Sequence, residues 1–517
     1  MLRTLLPLLL LLTPATARAD WHEASTRHFT VYSDQRPEGI REFVANLEKF
    51  DRVMRQLYRW QDPEQARPNR LTVYVLDDRD DVSKLAGSSF VAGFYKARAG
   101  GSMAVVPRFS GNGSKTALDE QQILLHEYTH HMMLSAFPNA IIPAWYVEGF
   151  AELHATAEFD KAGVIVGGPP QYRARTLMNV RNALPAQQLL MADTIRLSDS
   201  QRAALYGRGW LLSHYLLVAK QRQGQLGDYL RAINAGKPAS EATASFGDLR
   251  ALDRDLDRYK SGKIMRHVVP LEGAAPEIVL RKLTPGEAAT MEVRIRSRRG
   301  VNAKTAAGVY AEARKAAAPY PDDPGAQVVL AEAAFDARDF AAAETAADRA
   351  IAADPKSTEA YVHKAKARLA AALVARDRSK ETAAAIRRII VAGNKLERDH
   401  PELLILYFRT FTDFGQPPTE IAKDGLARAH DLAPQDRMLR FNAARMYLRD
   451  GNKEKARALL APLAYSPHAR GLAQRATRLI AQIDASDVEG ALKALDGQPS
   501  EEPEADGEPT GNPSPAS

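Results

Sequence analysis

Cysteine is absent from the chain. That excludes disulfides, thiolate metal ligands, a catalytic thiol and a lipid-modified N-terminal cysteine. Any transition-metal site must then be built from His, Asp and Glu. Long apolar runs are also scarce. Leu5 to Leu12 is too short to span a bilayer, and no other segment approaches that length. Basic clusters are missing as well. The formal net charge is +7, with both signs mixed along the chain and no basic run interleaved with aromatics. No nucleic-acid partner is expected on that pattern.

The two ends carry biased segments. Arg3, the apolar run from Leu5 to Leu12, and Ala17-Arg18-Ala19 form a charged n-region, a short h-region and an Ala-x-Ala cleavage pattern. Residues 1–19 are therefore expected to be a signal peptide, and the mature protein to be exported, periplasmic or secreted, with no membrane span after cleavage. Gln498 to Ser517 is rich in Pro, Glu, Gly and Ser, and a disordered tail is expected over 486–517.

Composition changes once between the ends. Residues 20–265 mix strand-like runs, aromatics and turns, whereas 300–485 are rich in Ala, Leu and Arg with helical periodicity. The stretch between them, 266–299, contains Ile278-Val279-Leu280 and Met291-Glu292-Val293-Arg294-Ile295, and reads as a β-rich connector. Within the first block, His28 to Ser33, Leu71 to Leu76 and Gly101 to Pro107 read as strands. The glycines and proline of the third suggest a sheet edge able to accept an extended peptide. Glu38 to Trp60 and roughly Ala117 to Phe137 read as helices, and Pro143 opens another through Ala157. Asn112-Gly113-Ser114 reads as a turn that also fits a glycosylation acceptor.

The helix from Ala117 carries His126-Glu127-Tyr128-Thr129-His130. Histidines at i and i+4 share one helix face. Glu148, one turn into the next helix, supplies a third donor after a spacer long enough for the chain to reverse. His₂Glu with an open fourth position is a catalytic zinc set, and Glu127 is placed as base for a zinc-bound water. One Zn²⁺ per chain is expected. Ile123, Leu124, Leu125, Met132, Met133 and Leu134 make the helix apolar on most sides, which argues against a pair of surface histidines. Glu152 lies one turn beyond Glu148 and is placed to support a ligand imidazole from behind, or else to be a solvated helix residue. His131, His154 and Arg208 are read as structural or surface residues.

These residues resemble a known family. His126-Glu-x-x-His130 followed by Trp145-x-x-Glu148-Gly-Phe-Ala-Glu152 looks like the signature of the gluzincin metallopeptidases, closest to the zinc aminopeptidases and the bacterial peptidase MA-like domains. Tyr206-Gly-Arg208-Gly209 is similar to the Tyr-x-Lys-Gly motif of the aminopeptidases. The resemblance implies that Tyr206 stabilises the tetrahedral intermediate, with an aromatic core role as its plain alternative. It also implies an α+β thermolysin-like catalytic domain over roughly 21–262. Where those aminopeptidases carry a glutamate for the substrate N-terminus, this chain has Gly101-Ser102-Met103-Ala104-Val105, which favours an endopeptidase.

In the second block, Asp322-Asp323-Pro324 recurs as Asp354-Pro355 and Leu432-Ala433-Pro434. With Leu330 to Ala343 and Phe441 to Leu460, these resemble tetratricopeptide helix pairs, implying an all-α repeat solenoid. Two readings follow. The first is an exported zinc metallopeptidase acting on a peptide or protein substrate, its repeats recruiting substrate or a protein partner. The second is a catalytically inactive, peptidase-like repeat scaffold.

Overall fold

The computed structural model describes residues 20–62, 70–86, 93–108, 120–160, 163–178, 184–465 and 470–496. The expected signal peptide, the Asn112 turn and the tail beyond Asp496 lie outside them. No helix among the described residues is long and apolar enough to cross a membrane.

The described residues of the first half build nine strands: β1 (His22–Ser25), β2 (Phe29–Ser33), β3 (Leu71–Leu76), β4 (Phe94–Lys96), β5 (Met103–Pro107), β6 (Glu158–Asp160), β7 (Gly163–Val166), β8 (His267–Val269) and β9 (Val279–Lys282). Six form one sheet in the order β4-β5-β3-β2-β1-β9, and β6-β7-β8 form a small second sheet. Strands β2, β3 and β5 are parallel, while β1, β4 and β9 run antiparallel to their neighbours. The expected edge strand is corrected here. β5 is internal, hydrogen-bonded to β3 and β4, and β4 is the edge among the described residues. All five residues of β5 are buried, so its proline marks the strand's last position, not an open edge.

Ten helices belong to the same half: α1 (Pro37–Tyr58), α2 (Arg79–Ala86), α3 (Glu120–Ala136), α4 (Ala144–Ala155), α5 (Ala174–Met178), α6 (Ala186–Leu190), α7 (Asp199–Leu217), α8 (Gln225–Asn234), α9 (Ala239–Ala242) and α10 (Leu249–Lys260). Side-chain alternation along the strands decides what each sheet face meets. Val31, Val73 and Ala104 point to one face, where Phe50, Met54, Leu124 and Tyr128 of α1 and α3 cover them. Tyr32, Tyr74 and Met103 point to the other, towards Val82 of α2. A second core, centred on Trp145, Trp210 and Tyr229, joins α4 to α6, α7, α8 and α10.

The expected β-rich connector is half right. After β8 and β9 comes a helix, α11 (Pro285–Arg299), where Met291 to Ile295 reads as a strand in sequence. Its start is well specified. Pro285 is its first residue, and Thr284 and Glu287 form a reciprocal capping box. Its alternation has a packing cause. Met291 and Ile295 face the sheet, while Val293 faces the next helices, so both sides of α11 are buried.

From there the chain is helical: α12 (Ala306–Ala317), α13 (Pro324–Asp336), α14 (Phe340–Ala353), α15 (Thr358–Val374), α16 (Lys380–Leu396), α17 (Pro401–Thr412), α18 (Glu420–Leu432), α19 (Arg437–Arg449), α20 (Lys453–Ala464), α21 (Arg470–Asp484) and α22 (Val488–Asp496). Successive helices pack as hairpins in which alanines such as Ala331, Ala334, Ala343, Ala346 and Ala347 let the backbones close up. Asp323, Asp339, Asp436 and Asn452 cap the helices that follow them. Arg338 and Gly451 take left-handed conformations at two of the inter-helix turns. The helical block also runs past its expected end at 485. Ala491 and Leu495 of α22 are buried against α19 to α21, so this part of the expected tail is packed helix.

Candidate metal centre

Helix α3 lies on the sheet with Ile123, Leu124, Leu125, Tyr128, Met132 and Met133 all buried. His126 and His130, a turn apart, therefore project together towards α4. There Glu148 is 1 % exposed. The three residues offer one donor atom each, all within 4.8 Å of one another. His126 Nε2 lies 3.1 Å from His130 Nε2 and 3.3 Å from Glu148 Oε2, and His130 Nε2 lies 3.7 Å from Glu148 Oε2. Zinc–ligand bonds of about 2.0–2.1 Å give a tetrahedron with edges of roughly 3.3 Å, so the donors are spaced as a tetrahedral ion requires. The residues fit the metal expected from the sequence.

The electrostatics agree. Burial works to lower the His126 pKa, but Glu148, Glu152 and Glu127 outweigh it and the ring ends above its ordinary value. A proton is held where a dication would also be stabilised. Glu127, next to His126 on the helix, is 8 % exposed and is the group adjacent to the donors not used as one.

The approach of α4 and α7 puts Tyr206 at the same place. A side chain on Gly149 would come within 2.3 Å of the Gly209 backbone, and one on Gly209 within 2.5 Å of the Trp145 carbonyl oxygen. Only two glycines allow that crossing. It sets the Tyr206 ring 6.3 Å from the His126 ring. Glu148 first, and then burial, raises the Tyr206 pKa well above its ordinary value, so the phenol remains a donor.

Glu152 has a different environment from the one expected. Its Oε1 is 3.8 Å from His126 Nδ1, too far for a hydrogen bond. Instead Arg173 donates to Oε1 at 2.7 and 3.0 Å, and Tyr172 donates to Oε2 at 2.6 Å. Arg173 also sits over the Tyr206 ring, 4.5 Å from its centroid. Arg173 is thus a site residue that sequence reading missed, and it has no spacing signal. It lies on the chain just before α5 and reaches the site only through the tertiary fold. Glu152 and Arg173 act together as a neutral strut that fixes Tyr206.

His131 and His154 near the site are structural. Burial drives His131 down to about 4, and the Tyr95 hydroxyl lies 3.0 Å from its Nδ1. His154, read as a surface residue, is buried beside Tyr58 and the Phe150 carbonyl, because α4 is covered on all sides. Arg208 is buried and paired with Asp253 and Asp257. Unanticipated from sequence, His28, Glu48 and Asp51 also converge behind α3. They satisfy one another and their neighbours. His28 Nδ1 is 2.8 Å from Glu48 and Nε2 is 3.0 Å from Asp62, while Asp51 accepts from Arg55 and from Tyr128. That is an ion-pair network, not an open ligand set.

No family model matches the chain, and no curated protein does. Solved structures match in part, among them the following two. One is TTC0263, a thermophilic TPR protein of Thermus thermophilus, at 18 % identity over 37 % of this chain and 97 % of that one, with a TM-score of 0.33. The other is yeast Tom70, at 12 % identity over 72 % and 75 % of the two chains, with a TM-score of 0.26. Scores this low carry no argument about function. The solenoid stands on its own helical hairpins.

Proposed function

We propose that the chain is a zinc-dependent hydrolase of peptide bonds, with its helical repeats serving as a binding scaffold. One observation carries the reading: three donors from two helices, spaced for a tetrahedral ion, with a carboxylate beside them. His126, His130 and Glu148 would hold the ion, which would supply an acidified water. Glu127 would accept a proton from the attacking water and deliver it to the leaving amine. The Tyr206 hydroxyl donates to the oxyanion that forms on the substrate carbonyl, and Arg173 holds the tyrosine ring in place. An extended substrate would add to β4, the outer strand beside α3. The missing acidic residue in the Gly101 to Val105 strand supports internal cleavage over removal of N-terminal residues. The leader-like residues 1–19 support a setting outside the cytoplasm.

The alternative is a binding protein built on helical repeats whose peptidase-like half is inert. What favours it is the large share of chain given to helical hairpins, since such arrays present surfaces to protein partners. Metal analysis of the purified protein, with cleavage of a broad peptide library by wild type and Glu127→Gln, separates the readings. About one zinc per chain and Glu127-dependent cleavage are expected. Zinc without such cleavage leaves the scaffold, and absence of zinc removes the site.

A further inference from the structure

A cavity lies on the sheet face opposite α3, closed by the solenoid. Its volume is about 170 Å³. The floor is Thr30, Tyr32, Thr72, Tyr74 and Met103 of the sheet, and the roof comes from α11, α15 and the start of α17. The two halves meet tightly at its rim. A side chain on Gly100 would come within 2.4 Å of the Glu402 carboxyl, so the two halves approach closely there.

The wall is charged, and most of its charges are committed. Arg294 and Arg298 both pair with Glu359, Arg298 also with Glu332, and Lys366 with Glu402. What is left over is mostly able to donate. The Arg98 guanidinium has no ion pair among the described residues, and it lines the cavity. Arg294 Nε, His363 Nδ1 and His400 Nδ1 have no hydrogen-bond partner. His363 is 3 % exposed and His400 is 4 % exposed, so neither imidazole is served by bulk water. Buried polar atoms of this kind are destabilising unless something meets them. The metal centre explains none of this, since it lies across the sheet.

We propose that this cavity is a binding site for a small, acceptor-rich anion, a phosphate or a carboxylate. Arg98 supplies a charge that is near Glu332 and Asp336 but in no direct ion pair, and His363 and His400 supply hydrogen bonds from the solenoid. Guanidinium forks match both oxyanion classes. Because floor and roof come from different halves of the chain, the bound anion strengthens the contact between them.

The test uses the full chain stripped of metal by chelation, so that no anion can bind through zinc. Inorganic phosphate and succinate are titrated separately at constant ionic strength, following thermal midpoint and heat of binding. A saturable rise with one of them identifies the source. Arg98→Ala, which breaks no direct ion pair, should weaken that binding at least tenfold relative to wild type. His363→Gln should weaken it as well, and His126→Ala should leave it unchanged. No saturable response to either anion, or equal affinity in wild type, Arg98→Ala and His363→Gln, overturns the proposal.

Discussion

Glu127 and Tyr206 sit beside the three donors, and the roles proposed for them predict different failures. Glu127→Gln keeps the shape of the helix and removes the proton acceptor, so zinc content should hold while cleavage is lost. Tyr206→Phe keeps the ring under Arg173 and removes only the hydroxyl. Loss of one oxyanion donor typically lowers kcat by about 10²–10³, and steady-state kinetics on a cleaved library peptide would measure it. An unchanged kcat would assign Tyr206 to packing alone. Behind the motif helix, the His28 network predicts a pH dependence of stability. Burial works to lower the His28 pKa, but Glu48, Asp51 and Asp62 overcome it and raise the pKa above 6.5. The same contacts lower Glu48 below 4.5 in spite of burial. A raised imidazole contributes fully below about 6.5 and fades as pH rises through its folded value. A lowered carboxylate contributes above about 4.5 and fades as pH falls. The stability difference between wild type and His28→Gln should therefore be largest between roughly 4.5 and 6.5 and shrink as pH rises above that range, read from denaturant midpoints.

The crossing of α4 and α7 connects residue chemistry to element packing. Gly149 directly follows Glu148 and Gly209 lies three positions after Tyr206, so the glycines that allow contact lie close to the candidate site residues. Gly149→Ala forces the helices apart, because the new carbon would meet Gly209 backbone at 2.3 Å. Overpacking of this kind costs typically 1–3 kcal/mol. The expected outcome is a lower thermal midpoint together with weaker zinc retention, read by chelator competition. A variant that retains zinc as wild type does would show that Glu148 does not depend on the crossing. This element also marks where sequence reading reaches its limit. The i, i+4 histidines, Glu148 and the helices that carry them are local patterns, and each is found where periodicity puts it. The partners of Glu152 are not local. Arg173 joins the site from a single 3₁₀ turn, Gln171–Arg173, and no spacing announces it. The same limit explains α11, whose alternation records two buried faces instead of a pleat, and β5, whose edge signals describe one end of a buried strand. Helix α22 was hidden by the polar chain after it, though Ala491 and Leu495 keep helical spacing.

At the scale of the whole molecule the solenoid is fastened to the half that carries the candidate metal centre. Asp436 accepts from the Ala99 backbone at 2.8 Å, and Gln435 lies 3.2 Å from the Ser102 hydroxyl. Ala461 enters the core of Trp145 and Tyr229. Most informative is Arg440 on α19, which is 2 % exposed. It donates to its own Pro434 carbonyl at 2.7 Å and to the carbonyl of Pro138. Pro138 begins the turn between α3 and α4, the segment that sets Glu148 against His126 and His130. From the other side Asn234 of α8 brackets the same turn, accepting from Ile141 N–H at 2.8 Å and donating to its carbonyl at 2.9 Å. Burial lowers the Arg440 pKa to about 10, so the guanidinium remains charged at neutral pH and depends on those carbonyls. Arg440→Leu removes the tie and fills the space, so the chain should still fold, with a stability loss of about 1–3 kcal/mol from the unpaired carbonyls. If the solenoid steadies the metal site through this residue, zinc should dissociate faster from Arg440→Leu, and hydrogen exchange should rise at residues 138–143 while the sheet stays protected. Faster exchange throughout the chain would instead mean general destabilisation. Unchanged exchange and zinc release would mean that the repeats hold the two halves together without acting on the ligands.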